Sequence, residues 1–166
     1  MPTTCPPDAT KTWRIPRRRV SVRIELTDGT PLSGSLYADA KTASGAPGRV
    51  ADRLNDAAEA FVPLAVEHRH VLLRKSGVAL IRLRDDSDER SRPRERDQTE
   101  LKLRMTMTNG ATVQGCVRAR LPRQRTRALD FLNLNSQVFV EMIGGDGHLT
   151  LINSDHIARV IEVIEI

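Results

Sequence analysis

Aromatic side chains are scarce: one Trp, one Tyr and three Phe among 166 residues. A surface that stacks unpaired bases needs rings interleaved with its cations, and Trp13 and Tyr37 stand alone. Any core must therefore be built from Val, Leu, Ile and Met. Cysteine is limited to Cys5 and Cys116, which form neither a disulfide framework nor a metal set. They read as two reduced thiols in a cytoplasmic setting of the bacterial type. No apolar run approaches the ~18 residues of a membrane helix, and no secretory h-region opens the chain. The expected setting is thus cytoplasmic, with no membrane.

The four histidines are His68, His70, His148 and His156. His68 and His70 share one face of a strand edge, yet no further ligand completes a set at a recognised spacing, so no metal is expected. There is no Gly-x-Ser-x-Gly elbow, no glycine-rich phosphate loop before a helix and no Cys/His pair at a catalytic spacing. The expectation is a non-enzyme with no cofactor and no small-molecule substrate.

The net charge is +5, unevenly spread. Residues 1–18 hold Pro2, Pro6, Pro7 and Pro16 with several basic side chains and read as a flexible basic arm. Residues 85–99 begin DDSDERSRPRERDQ, without a large apolar residue, and read as a charged linker. Between and after them lie two similar units, 19–84 and 100–166.

The similarity is residue by residue. VRIELTDGTPLSGSL (22–36) faces LRMTMTNGATVQGCV (103–117), with Arg23, Thr27, Gly29 and Gly34 recurring as Arg104, Thr108, Gly110 and Gly115. RVADRLNDAAEAFV (49–62) faces RALDFLNLNSQVFV (127–140), and LLRKSGVALI (72–81) faces LINSDHIARV (151–160). Such self-similarity marks a repeated fold. In each unit apolar residues alternate, as in Val20, Val22, Ile24 and Leu26, which is the period of a half-buried strand. Asp28-Gly29 and Asn109-Gly110 then read as hairpin turns in which both residue types accept the left-handed conformation. Second strands carry Gly34 and Gly115 where the sheet must bend. Helical turns at Arg49–Asp56 and Arg127–Leu134 precede third strands (61–66, 138–143), fourth strands (71–74, 149–152) and fifth strands (78–83, 157–164). Phe61 and Phe139 read as core anchors. Five short strands per unit predict an all-β chain of two small tandem five-stranded barrels, each with a helical turn between strands two and three.

Leu26-x-x-Gly29-x-x-Leu32-x-Gly34-x-Leu36 resembles the first motif of the Sm-like family, which includes Hfq-like proteins. Met107-x-x-Gly110-x-x-Val113-x-Gly115-x-Val117 resembles it again. Asp52 and Asn55, and Asp130 and Asn133, look like the family's Asp and Asn after a longer loop. Leu73 to Val78 resembles the second motif, with 153–157 as its weaker copy. The family's N-terminal helix has no counterpart here. The resemblance, to a bacterial Sm-like variant, implies bent barrels that join neighbours edge to edge, and suggests RNA binding.

Two sets of residues stand as nucleic-acid candidates. Arg118, Arg120, Arg123, Arg125 and Arg127 lie in one acid-free stretch, and guanidinium forks suit phosphate oxygens. The alternative is a solvated loop. Asp52 with Asn55, and Asp130 with Asn133, are spaced to share a face of a helical turn. Their alternative is structural: the Asp caps or braces the helix and the Asn holds the turn into strand three. The expected function is a non-catalytic assembly or protein-interaction module, bound to a protein partner or to itself through strand edges. RNA or single-stranded nucleic-acid binding is the alternative.

Overall fold

A computed structural model of the chain describes residues 17–84, 97–122, 124 and 127–163. Most of the arm, the linker from 85 to 96, Arg123, Arg125, Thr126 and the last three residues lie outside the described residues.

The first half contains β1 (Arg17–Leu26), β2 (Pro31–Asp39), α1 (Val50–Asn55), β3 (Phe61–Val66), β4 (Arg69–Arg74) and β5 (Val78–Leu83). The second contains β6 (Thr99–Met107), β7 (Thr112–Ala119), α2 (Ala128–Leu134), β8 (Phe139–Gly144), β9 (Leu149–Asn153) and β10 (Ile157–Glu162). Short 3-10 turns at Lys75–Gly77 and Ser154–His156 lead into the fifth strand of each half. The first strand begins at Arg17 and the sixth at Thr99, so strand structure reaches into both the expected arm and the expected linker.

The chain is mostly strand, but not as two separate closed barrels. The described strands form one open antiparallel sheet in the order β10-β6-β7-β8-β9-β5-β1-β2-β3-β4. The halves are fused where β5 pairs with β9, placing Leu80 opposite Ile152 and Ile81 opposite Leu151. A fifth strand thus finds its second neighbour in the other half, and β10 and β4 are left as the two ends of the sheet.

The ladders of the two halves correspond. Val22 faces Gly34 as Leu103 faces Gly115. Phe61 faces Arg74 as Phe139 faces Asn153, and Ile24 faces Ile81 as Met105 faces Val160. Each fifth strand also shifts register near its start, where Thr27 N–H donates to Gly77 O and Thr108 N–H to His156 O.

Two features of sequence produce this path. A Cβ on Gly34 would overlap the Ala65 carbonyl oxygen, and one on Gly115 the Ile143 carbonyl oxygen. Only glycine lets the second and third strands approach this closely. At the hairpins, Gly29 and Gly110 take φ of 86°. Asp28 and Asn109 do not take positive φ; the side chain of each instead accepts a backbone N–H two residues on, from Thr30 and Ala111. The shared reason for Asp and Asn is therefore side-chain acceptance, rather than left-handed backbone.

The cores are aliphatic and exchange side chains across the junction. The first core joins Val20, Val22, Ile24, Leu64 and Ile81 with Phe139, Leu149 and Leu151 from the second half. The second joins Leu103, Met105, Val117, Phe131 and Met142 with Ala79 and Leu80 from the first. All five residues contributed across the junction are buried, so separating the halves would return their apolar surface to water at roughly 25 cal/mol per Å².

Candidate functional site

The most elaborated region of the chain is the joint between the halves. The first half offers α1 and β5, and the second offers β8 and β9. Asn55, the last residue of α1, grips the start of β8: its Nδ2 donates to Phe139 O at 3.0 Å, and its Oδ1 accepts from Phe139 N–H at 2.8 Å. A side-chain amide suits this because it carries one donor and one acceptor side by side. Arg49, buried just before α1, forms a forked pair with Glu141 of β8, at 2.9 and 2.5 Å. Asn153, fully buried at the end of β9, donates to the carbonyls of Lys75 and Val78 and accepts from Asp155 N–H. Asn109 Nδ2 donates to Leu26 O at 2.9 Å, and His156 Nε2 stands 2.6 Å from Ser76 O.

Lys75 supports this joint from the first half. Its Nζ donates to Arg53 O at 2.9 Å and Asp56 O at 2.7 Å, closing the loop after α1. Burial pushes its ammonium below the ordinary lysine value, while Glu59 and Asp56 act in the opposite direction.

The candidate residues from the sequence divide accordingly. Asn55 does bond a third strand through its side chain, but the strand belongs to the other half, so the amide is not open to a base. Neither Asp caps a helix: Arg49 and Arg127 hold the cap positions without side-chain capping bonds. Asp52 is exposed, 3.9 Å from Arg49. Asp130 is half-buried and Asn133 exposed. Asp56 and Asn135 hold the loops after the helices, accepting from Ala58 N–H and Gln137 N–H.

Among the arginines, Arg118 and Arg120 are exposed at the end of β7, and Arg118 Nε contacts Glu100 at 3.3 Å. Both line a cleft of about 690 Å³ together with Arg49, Cys116, Phe131 and Gln137. Arg127 is exposed before α2. His70 Nε2 lies 3.3 Å from the Tyr37 hydroxyl. Among the described residues no group of three or more His, Cys, Asp or Glu side chains gathers, and no helix is long and apolar enough to cross a membrane.

The second notable region is the pair of free sheet ends. Phe61, expected in the core, is 51% exposed, whereas Phe139 is fully buried. Leu72 on β4 is 70% exposed. At the opposite end, Ile161 on β10 is exposed, and so is Leu129 on α2. Arg49, Glu141, Lys75 and Asn153 were not singled out from sequence. Lys75 and Asn153 fall within the stretches 73–78 and 153–157 that resemble the second Sm-like motif, and Asn also favours turns that its own side chain closes.

No family model, no curated protein and no solved structure matches the chain.

Proposed function

We propose that this chain is a non-catalytic assembly module, built from a duplicated Sm-like unit, that binds protein by adding strands to its open edges. The observation that carries this reading is the strand order: among the described strands β10 and β4 each have one hydrogen-bonded neighbour, with Leu72 exposed on β4 and Ile161 on β10. Unpaired edge backbone combined with exposed Leu and Ile is a template for strand addition. The corresponding ladders support duplication, and the close approach of the second and third strands at Gly34 and Gly115 supports a small-barrel unit of the Sm-like kind.

A labelled peptide of residues 157–163, IARVIEV, tests it. Binding to the intact chain with slowed amide exchange at Leu72, lost when the peptide carries Val160→Pro, is the expected result. Absence of binding at millimolar peptide would overturn the reading. A 260/280 nm absorbance ratio that falls on a high-salt wash of the purified protein would instead favour nucleic acid, with Arg118, Arg120 and Arg127 as its cations.

A further inference from the structure

The two halves treat one place in the fold differently: the gap that opens where the second strand parts from the third. β2 and β3 pair at Ser35–Ala65, and β7 and β8 pair at Gly115–Gly144 and Cys116–Ile143. Beyond these pairs the strands separate.

In the first half the gap is bridged. Arg53 of α1 donates from Nη1 to Tyr37 O at 3.0 Å, and its Nε donates to Glu59 at 2.9 Å. Pro63, whose backbone is turned toward the same gap, has no N–H to satisfy.

In the second half each member of this bridge is exchanged. Phe131 stands at the position of Arg53, Gln137 at Glu59, Arg118 at Tyr37 and Glu141 at Pro63. A neutral ring and an amide replace the guanidinium–carboxylate pair, and the guanidinium moves to the strand. The space left is the cleft of about 690 Å³, which lies within the size range of sites that enclose small molecules.

Its lining is divided by chemistry. Buried Phe131 and Val140 lie at its floor, half-buried Leu121 and Ile143 at its sides, and Leu134, 52% exposed, at the end of α2. Arg118 and Arg120 stand two residues apart on β7, so their side chains leave the strand on the same side. The lining holds three arginines against one glutamate, a net charge of +2. That glutamate, Glu141, is already met by the Arg49 fork. Arg118 also meets Glu100 at 3.3 Å, a solvent-exposed pair that a second carboxylate displaces at little cost. Exposed Gln137 adds amide donors beside them.

We propose that this cleft is a binding site for a small apolar carboxylate. Its hydrocarbon or aromatic body lies against Phe131, Ile143 and Leu134, and its carboxylate is held by Arg118 and Arg120. Planar guanidinium forks match a carboxylate through paired hydrogen bonds. The exchange of Arg53 for Phe131 removes the internal cation that would otherwise span the space, so the site belongs to the second half. It lies apart from β4 and β10 and does not depend on strand addition.

2-Naphthoate tests this on the intact chain carrying Cys5→Ser, in which Cys116 of the cleft is the remaining thiol. Calorimetry should show saturable binding with a dissociation constant of about 100 μM or tighter. At saturation the Gln137 amide resonance should shift and alkylation of Cys116 by iodoacetamide should slow. 2-Naphthylmethanol, the same ring without the carboxylate, should bind at least about tenfold more weakly. Arg118→Ser/Arg120→Ser should weaken naphthoate binding about a hundredfold, the loss of two charge-assisted hydrogen bonds. Gln137→Glu, which restores the acid of the first half, should weaken it about tenfold by like-charge repulsion. All three side chains are exposed, so these variants should keep the parent thermal melt. No saturable binding at about 5 mM naphthoate, equal affinity for naphthylmethanol, or unchanged affinity in the arginine variant would each overturn the proposal. A single-stranded oligonucleotide held by Arg118 and Arg120, with naphthoate unable to compete, would assign the cleft to nucleic acid instead. None of these results touches the peptide test at β4, so the two readings fail separately.

Discussion

Asn55 and Phe139 are joined by two hydrogen bonds across 84 positions of sequence, one accepted and one donated by the same side-chain amide. The pair pins the end of α1 to the first residue of β8. Few other side chains could replace it, because Asp lacks the donor and Leu lacks both groups.

Asn55→Ala should therefore destabilise the chain by about 1–3 kcal/mol, the range for leaving buried backbone groups unpaired. Asn133→Ala, at the exposed counterpart, should change the stability of the dilute monomer by less than about 0.5 kcal/mol. Urea denaturation at low protein concentration compares them, and equal losses at the two sites would contradict the assigned roles.

Arg49 is 6% exposed and its partner Glu141 is 26% exposed. Glu141→Gln removes the carboxylate forked onto a largely buried guanidinium, which keeps Asp52 at 3.9 Å, and should cost about 2–3 kcal/mol, below the 3–5 expected of a fully buried pair because water reaches the site. The double change Arg49→Met/Glu141→Leu should recover part of that loss, since it removes the buried charge. A double variant less stable than Glu141→Gln would count against this account.

Gly34→Ala and Gly115→Ala each place a methyl group into a backbone carbonyl of the third strand in their half. Neither carbonyl belongs to a flexible side chain, so the strands must separate. A loss of about 3 kcal/mol or more in thermal or denaturant unfolding is expected at each site. A loss below 1 kcal/mol at either would show that the approach is not obligatory.

Lys75 carries a pH dependence. Its folded-state value is lowered, mainly by burial, so between that value and the ordinary 10.5 the unfolded chain binds more protons than the folded one. The unfavourable effect of the buried charge is fully present below this window and fades as pH rises through it. The stability of the wild type relative to Lys75→Met should accordingly increase from neutral pH toward 10.5. Denaturation curves collected across that range would refute the assignment if the difference stayed flat or fell.

Much of the fold was legible because it is local. Alternation in Val20, Val22, Ile24 and Leu26 marks a strand whatever it later meets, and a glycine inside a strand marks close approach. The joint was not legible, because it links residues as far apart as Arg49 and Glu141, 92 positions away. Nothing in the composition of α1 says which half its Asn will grip. Phe61 misled for a related reason: an aromatic residue on a strand reads as core, and only the strand order reveals that β3 lies next to the end of the sheet. The arginine stretch was legible as charge, and Arg118 and Arg120 line a cleft that runs from α2 to the Arg49–Glu141 pair of the joint.

Amide hydrogen exchange with and without the 157–163 peptide tests the central claim most directly. The account predicts that Leu80, Ile81, Leu151 and Ile152 are protected in both. Leu73, whose N–H faces β3, is protected in both, and protection at Leu72, whose N–H faces outward, should appear only with the peptide. Exchange at Leu72 that ignores the peptide, or β5 and β9 amides that open as readily as those of the ends, would contradict it.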